Sequence, residues 1–158
     1  MSDQALDLGR RLASSGQLLA VAESCTGGLL AKRITDVAGS SGWFERGLIT
    51  YSNRAKQELL GVPPEILASW GAVSQQMAAA MARGLMVMTP ADWGIAVTGI
   101  AGPGGGSFEK PVGLVWLAWI RRGQQPEAQA FQFAGDREQV RAQAADTALA
   151  GLLGRLTA

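Results

Sequence analysis

No histidine occurs among the 158 residues, and that absence removes more chemistry than any other count. Without imidazole there is no Ser-His-Asp or Cys-His catalysis, no paired-histidine zinc site and no imidazole general base, so proton transfer falls to lysine, tyrosine or carboxylates. Cysteine is almost as scarce. Cys25 stands alone, which excludes an internal disulfide and a thiolate metal cage and fits a reducing compartment. Charged residues make up only 17%, and 14 basic against 13 acidic side chains leave a net charge of +1, without the clustered excess that a nucleic-acid surface needs. The longest apolar run, Val112 to Ile120, is less than half of the ~20 residues that span a bilayer. The start, Met1-Ser2-Asp3-Gln4, lacks the positive and apolar regions of a signal peptide. The expectation is one cytoplasmic domain over residues 1–158, with no nucleic acid, membrane, metal or cofactor among its partners.

What the chain has in quantity is apolar residues, 47%, and 21 glycines, a composition that excludes disorder and coiled coil. Amphipathic spacing predicts a helix over 3–15 with Leu8 and Leu12 on one face. Leu18 to Ala22 is a short continuous apolar run between Gly16 and Ser24, as in a strand buried on both faces. A helix is expected from about Gly28 to near Gly39, carrying Leu30, Ile34 and Val37. A second strand is expected over 47–52, and Asn53 then caps a short helix that stops at Gly61. Pro63-Pro64 opens another, running through Leu67, and Ser74 caps a longer one with Met77, Met81, Leu85 and Met88 at spacings of three and four. Strands are expected over 94–98, over 114–120 as the most apolar and central one, and over 128–133 at an edge; a helix begins at Asp136. The sum is an α/β protein, a three-layer α/β/α sandwich around one mixed sheet.

Three polar segments interrupt this pattern at expected strand ends: Ser24-Cys25-Thr26-Gly27-Gly28, Tyr51-Ser52-Asn53-Arg54-Ala55-Lys56, and Thr98 to Gly106. In open α/β sheets ligands sit beyond the carboxyl ends of strands, so the three are expected to converge there. Ser24 falls at a turn into a helix, where free amides and the helix dipole favour a phosphate or a developing oxyanion, although spacing alone better suits Ser24 or Thr26 as a simple helix cap. As a nucleophile it needs a base. Lys32 lies roughly 12 Å further along the same helix axis, Lys110 follows the glycine loop, and Arg54 stays protonated, whereas Lys56 lies just past a strand end beside Tyr51, the only tyrosine. Burial, or a neighbouring cation such as Arg54, lowers the lysine pKa into a useful range. Cys25 is the rival nucleophile, because a thiol near a helix N-terminus is partly ionised. The segment Gly99-Ile100-Ala101-Gly102-Pro103-Gly104-Gly105-Gly106-Ser107 fits neither a dinucleotide fingerprint nor a Walker loop, and serves either close backbone approach to a ligand or nothing more than a surface loop. Of the five tryptophans, Trp43 and Trp70 are the candidates for stacking on an aromatic ligand.

Six stretches in order, Ala22-Glu23-Ser24-Cys25-Thr26-Gly27-Gly28, Gly39-Ser40-Ser41-Gly42-Trp43-Phe44, Thr50-Tyr51-Ser52-Asn53, Gly71-Ala72-Val73-Ser74, Thr98-Gly99-Ile100-Ala101-Gly102-Pro103 and Lys110-Pro111-Val112-Gly113, strongly resemble the CinA C-terminal domain family over about residues 5–155. The resemblance implies an α/β/α fold and a nicotinamide-nucleotide amidohydrolase, which hydrolyses nicotinamide mononucleotide to the acid and ammonia in pyridine-nucleotide salvage. It puts the nucleophile at Ser24 with support from Lys56 and Tyr51. Substrate binding then falls to Cys25, Thr26, Gly27, Thr98, Gly99, Ala101 and Gly102, with the amides of 25–27 and Thr98 around the oxyanion. A homo-oligomer is expected. The competing class is a non-catalytic nucleotide-binding or protein-interaction module of the same fold.

Overall fold

In the computed structural model, which describes residues 3–156, the elements run α1 (Asp3–Ser15), β1 (Leu19–Glu23), α2 (Leu29–Thr35), β2 (Phe44–Ile49), α3 (Asn53–Leu60), α4 (Pro64–Trp70), α5 (Gln75–Met88), β3 (Trp93–Gly99), β4 (Leu114–Arg121), β5 (Glu127–Gln132) and α6 (Arg137–Leu156). Met1, Ser2, Thr157 and Ala158, part of the domain expected over 1–158, lie outside the described residues. The sheet order is β2-β1-β3-β4-β5, with β1 parallel to both β2 and β3, and β4 antiparallel to β3 and β5.

Alternation along the buried strands sorts the helices onto two faces. One face carries the bulky residues Leu19, Val21, Ile95, Val97, Val115, Leu117 and Trp119, which pack with α1, α2 and α6 through Leu8, Leu12, Leu30, Ile34, Val140 and Leu149. The other face is lined with Ala20, Ala22, Ala96 and Ala118 under Met77, Met81 and Leu85 of α5 and Leu60 of α3. Ala22 pairs with Ala96, and Ala96 with Ala118, so small side chains form a row across three strands. A shallow face lets the α5 layer approach closely. Gly84 of α5 carries this further, since a Cβ there would sit 2.2 Å from the Leu60 carbonyl oxygen, and its absence allows the end of α3 to rest directly on α5.

Four expectations move. β2 spans Phe44–Ile49 rather than 47–52, because pairing begins where the Leu19 amide donates to Trp43 O (2.8 Å) and ends once Glu23 is matched with Ile49. Its half-exposed edge position leaves no continuous apolar run to mark its start. Ser52, freed from the strand, caps α3 in place of Asn53, its hydroxyl accepting from the Ala55 amide. The central strand is β3, not β4; apolarity records that both faces of β4 are covered, which says nothing about its rank in the sheet. The shorter α2 ends at Thr35, and a single 3₁₀ turn, Ser40–Gly42, fills the stretch before β2.

Candidate active site

Because β1, β2 and β3 are parallel, their carboxyl ends lie along one edge, and the three polar segments emerge there side by side. A pocket of about 260 Å³ opens between them, lined by Ser24, Cys25, Tyr51, Asn53, Lys56, Thr98, Gly99, Ala101, Gly102 and Arg137, with Ala72, Val73, Ile100, Gly104 and Gly105. Convergence at the switch in strand order thus holds for nearly every expected residue. Thr26 and Gly27 do not line it. Thr26 is fully buried with its hydroxyl unpartnered, and the Gly27 amide is used by Ser24 O (3.0 Å).

The turn after β1 is held from both sides. The Ser24 amide donates to Val97 O (3.0 Å), fixing Ser24 beside β3, and Arg141 of α6 donates to the carbonyls of Cys25 (3.1 Å) and Thr26 (2.9 Å). Glu23, 1% exposed, accepts from the amides of Gly28 (3.2 Å), Leu30 (2.9 Å) and Ala31 (3.0 Å). The amino end of α2 is therefore capped by the protein's own carboxylate and is not available to a ligand phosphate, contrary to the expectation of free amides.

Lys56 lies on the first turn of α3 and is the largest fully buried side chain, 1% exposed. Its Nζ donates to the Tyr51 carbonyl oxygen (3.2 Å), and no carboxylate pairs with it among the described residues. Burial pulls its pKa below the usual 10.5, opposed only by the nearby Cys25 thiol. Arg54 plays no part, being turned to solvent and paired with Glu58 (2.6 Å). Burial pushes the Cys25 thiol the other way, up to about 11, and this outweighs the lowering by its own amide and by Arg141. The shift runs against the partly ionised thiol on which Cys25 as a nucleophile depends.

Tyr51 is exposed, and its hydroxyl accepts from Arg137 Nη2 (3.2 Å), while Arg137 Nη1 donates to Gly102 O (2.8 Å). The Thr98 hydroxyl donates to Ala72 O (2.6 Å) and ties β3 to the segment before α5, so its proton is not free for an oxyanion. The start of the glycine segment is tied to the start of β4. Ile100 N–H donates to Leu114 O (2.9 Å), Gly113 N–H to Ile100 O (2.8 Å), and a Cβ on Gly102 would fall 2.5 Å from Val112 Cγ1. Lys110, beyond the loop, is anchored to Trp70 O (2.8 Å) and lies outside the pocket. Trp43 is in the core and Trp70 is exposed; neither lines the pocket.

Sequence reasoning missed Arg137 and Arg141. They sit four apart in the first turns of α6, where the helix dipole disfavours cations, and that misplacement was the available signal. Among the described residues no three His, Cys, Asp or Glu side chains gather to hold a metal, and no helix is long and apolar enough to cross a membrane.

A family model described as the CinA C-terminal domain matches residues 2–156. The protein named nicotinamide-nucleotide amidohydrolase PncC in Enterobacter agglomerans is 50% identical over 145 residues, which are 92% of this chain and 88% of that protein. A CinA-like protein of Akkermansia muciniphila is 54% identical over 142 residues, 90% of this chain but 34% of the relative, so the chain spans about a third of that longer protein. The crystal structure of competence damage-inducible protein A from Klebsiella pneumoniae superposes with a TM-score of 0.94 at 41% identity, covering 98% of this chain and 96% of that one.

Proposed function

Since the chain belongs to the CinA C-terminal domain family, we propose that it is an amidohydrolase that converts nicotinamide mononucleotide and water to nicotinate mononucleotide and ammonia, acting in pyridine-nucleotide salvage in the cytoplasm. The observation that carries the reading is Lys56: a buried lysine whose ammonium form is disfavoured, lining one pocket with Ser24, in a chain that has no histidine. Its support from outside the chain is the name of a relative matched over most of both lengths.

In this mechanism neutral Lys56 takes the proton of Ser24 Oγ as the oxygen attacks the carboxamide carbon. The tetrahedral oxyanion is held by the Cys25 amide, the member of the 25–27 turn that lines the pocket. The Lys56 ammonium returns the proton to the departing nitrogen, the C–N bond breaks, and ammonia leaves an acyl-serine. Lys56, neutral again, activates a water that cleaves the ester and restores Ser24. Tyr51 orders the mouth of the pocket: its carbonyl holds Lys56 and its hydroxyl holds Arg137. No step calls for a metal or cofactor. The protein works as a homo-oligomer in this reading.

The test is ammonia release from nicotinamide mononucleotide by the purified protein. Ser24→Ala is expected to abolish turnover, and Cys25→Ala to keep a substantial fraction, since the amide at position 25 survives the truncation. The reverse ranking makes Cys25 the nucleophile. No turnover by the wild type with binding retained makes the chain a nucleotide-binding module instead.

A further inference from the structure

We propose that Arg137 is the anion-binding residue of this site and sets its preference for a phosphorylated ligand over the corresponding nucleoside; this rests on the amidohydrolase reading for the amide end of the ligand. The residues that line the pocket differ sharply in exposure. Ser24 and Lys56 are 8% and 1% exposed, nearly closed to solvent. Arg137, by contrast, stands exposed at the start of α6. Among the described residues Lys56 and Arg137 are the only charged side chains lining the pocket, and Lys56 is the one whose charge burial disfavours.

The remaining observation is the lack of a counter-charge. Lys32, Arg33, Arg46, Arg54 and Arg155 each pair with a carboxylate, and Arg137 pairs with none among the described residues. The adjacent Asp136 carboxylate is turned to the Gln139 amide (2.9 Å), where it caps α6. Arg137 instead donates to two neutral oxygens, Gly102 O and Tyr51 Oη, which orient its plane while leaving part of its five-donor fork free. A guanidinium that is held in place, un-neutralised and open to solvent fits a phosphate dianion by bidentate hydrogen bonds. Gly104, which lines the same pocket, leaves open space, since an added Cβ would meet nothing within 4 Å. The ligand class is therefore an amide whose far end carries a phosphomonoester.

The experiment compares nicotinamide mononucleotide with nicotinamide riboside, which differs by the phosphate alone. Equilibrium binding is measured on Ser24→Ala protein, with and without Arg137→Gln or Arg137→Lys, and kcat/KM on the same Arg137 variants with Ser24 intact. The wild-type background is expected to favour the nucleotide by about tenfold to hundredfold, the range of a charge-assisted bidentate contact. Arg137→Gln is expected to collapse that ratio and Arg137→Lys to restore part of it, because the charge returns without the fork. An unchanged ratio, with both ligands weakened equally, reduces Arg137 to a brace for Tyr51 and overturns the proposal. So does a wild type that binds the two alike. The binding arm needs no catalysis, so a protein that turns over neither amide but shows the ratio and its collapse refutes the amidase reading and leaves the anion site standing.

Discussion

A buried lysine with one carbonyl as its partner and no counter-charge among the described residues is a costly choice for stability, and that is its diagnostic value. Its folded pKa lies below the unfolded value, so the unfolded chain binds more protons over the interval between them, and stability rises with pH through that window up to about 10.5. Below the window the full penalty of burying the ammonium is present. Lys56→Met removes the charge at similar volume and is expected to stabilise by roughly 1 kcal/mol at neutral pH, net of the Tyr51 carbonyl left unpaired. A melting temperature higher by ~2–4 °C checks this, with the gain shrinking as the pH approaches 10. Turnover is expected to vanish in the same variant. Lys56→Arg is expected to be nearly as inactive, because guanidinium cannot accept the serine proton, and the wild-type rate is expected to rise through an ionisation well below that of free lysine. Wild-type turnover in the arginine variant, with an unshifted pH profile, would leave the lysine as a mere positive charge. Lys56 was legible in the sequence by elimination, since without histidine the bases are few. Arg137 and Arg141 were not, because on paper they are two basic residues on the polar side of an amphipathic helix, and only the folded chain shows that one lines the pocket and the other grips the Cys25 and Thr26 carbonyls.

At the scale of elements, the site depends on how deeply α3 settles onto α5. Gly84→Ala tests this in a direction opposite to helix propensity. Alanine favours a helix interior by about 1 kcal/mol over glycine, yet here the new methyl would meet the Leu60 carbonyl at 2.2 Å, backbone that cannot step aside without moving α3. Overpacking of this kind costs about 1–3 kcal/mol, so the net effect is destabilising, read as a lower denaturant midpoint. Since Lys56 lies one turn upstream on the same short helix, kcat is expected to fall further than the loss of folded protein accounts for. An unaltered midpoint and rate would mean the two helices have slack between them. The helices were readable because their caps and stops are side-chain signals: Ser74 accepts from the Met77 amide, and Gly61 takes the left-handed conformation that ends α3. β2 was misplaced by three residues because an edge strand with one face half open carries no periodicity to fix its ends. The order of strands is not written in any one of them, which is why the most apolar strand was taken for the middle one.

For the molecule as a whole, activity is expected to survive exhaustive treatment with a chelator, given that the described residues bring no three metal-ligating side chains together. A rate lost to EDTA and recovered with a divalent ion would overturn the serine–lysine scheme. The α/β/α layering was legible because composition and periodicity report burial, and burial is what a layered sheet demands of every strand. The convergence of three loops could be inferred from parallel strands, but the contribution of α6 could not, as it comes from more than 80 positions away from Tyr51. That distance has a consequence for biosynthesis. The turn after β1 and Tyr51 are held by arginines of α6, which follows every other described element in the sequence. A ribosome therefore releases Ser24 and Tyr51 long before the arginines that hold their surroundings, so on the proposed reading a chain lacking α6 is expected to be inactive, which ammonia release by a chain truncated before Asp136 checks.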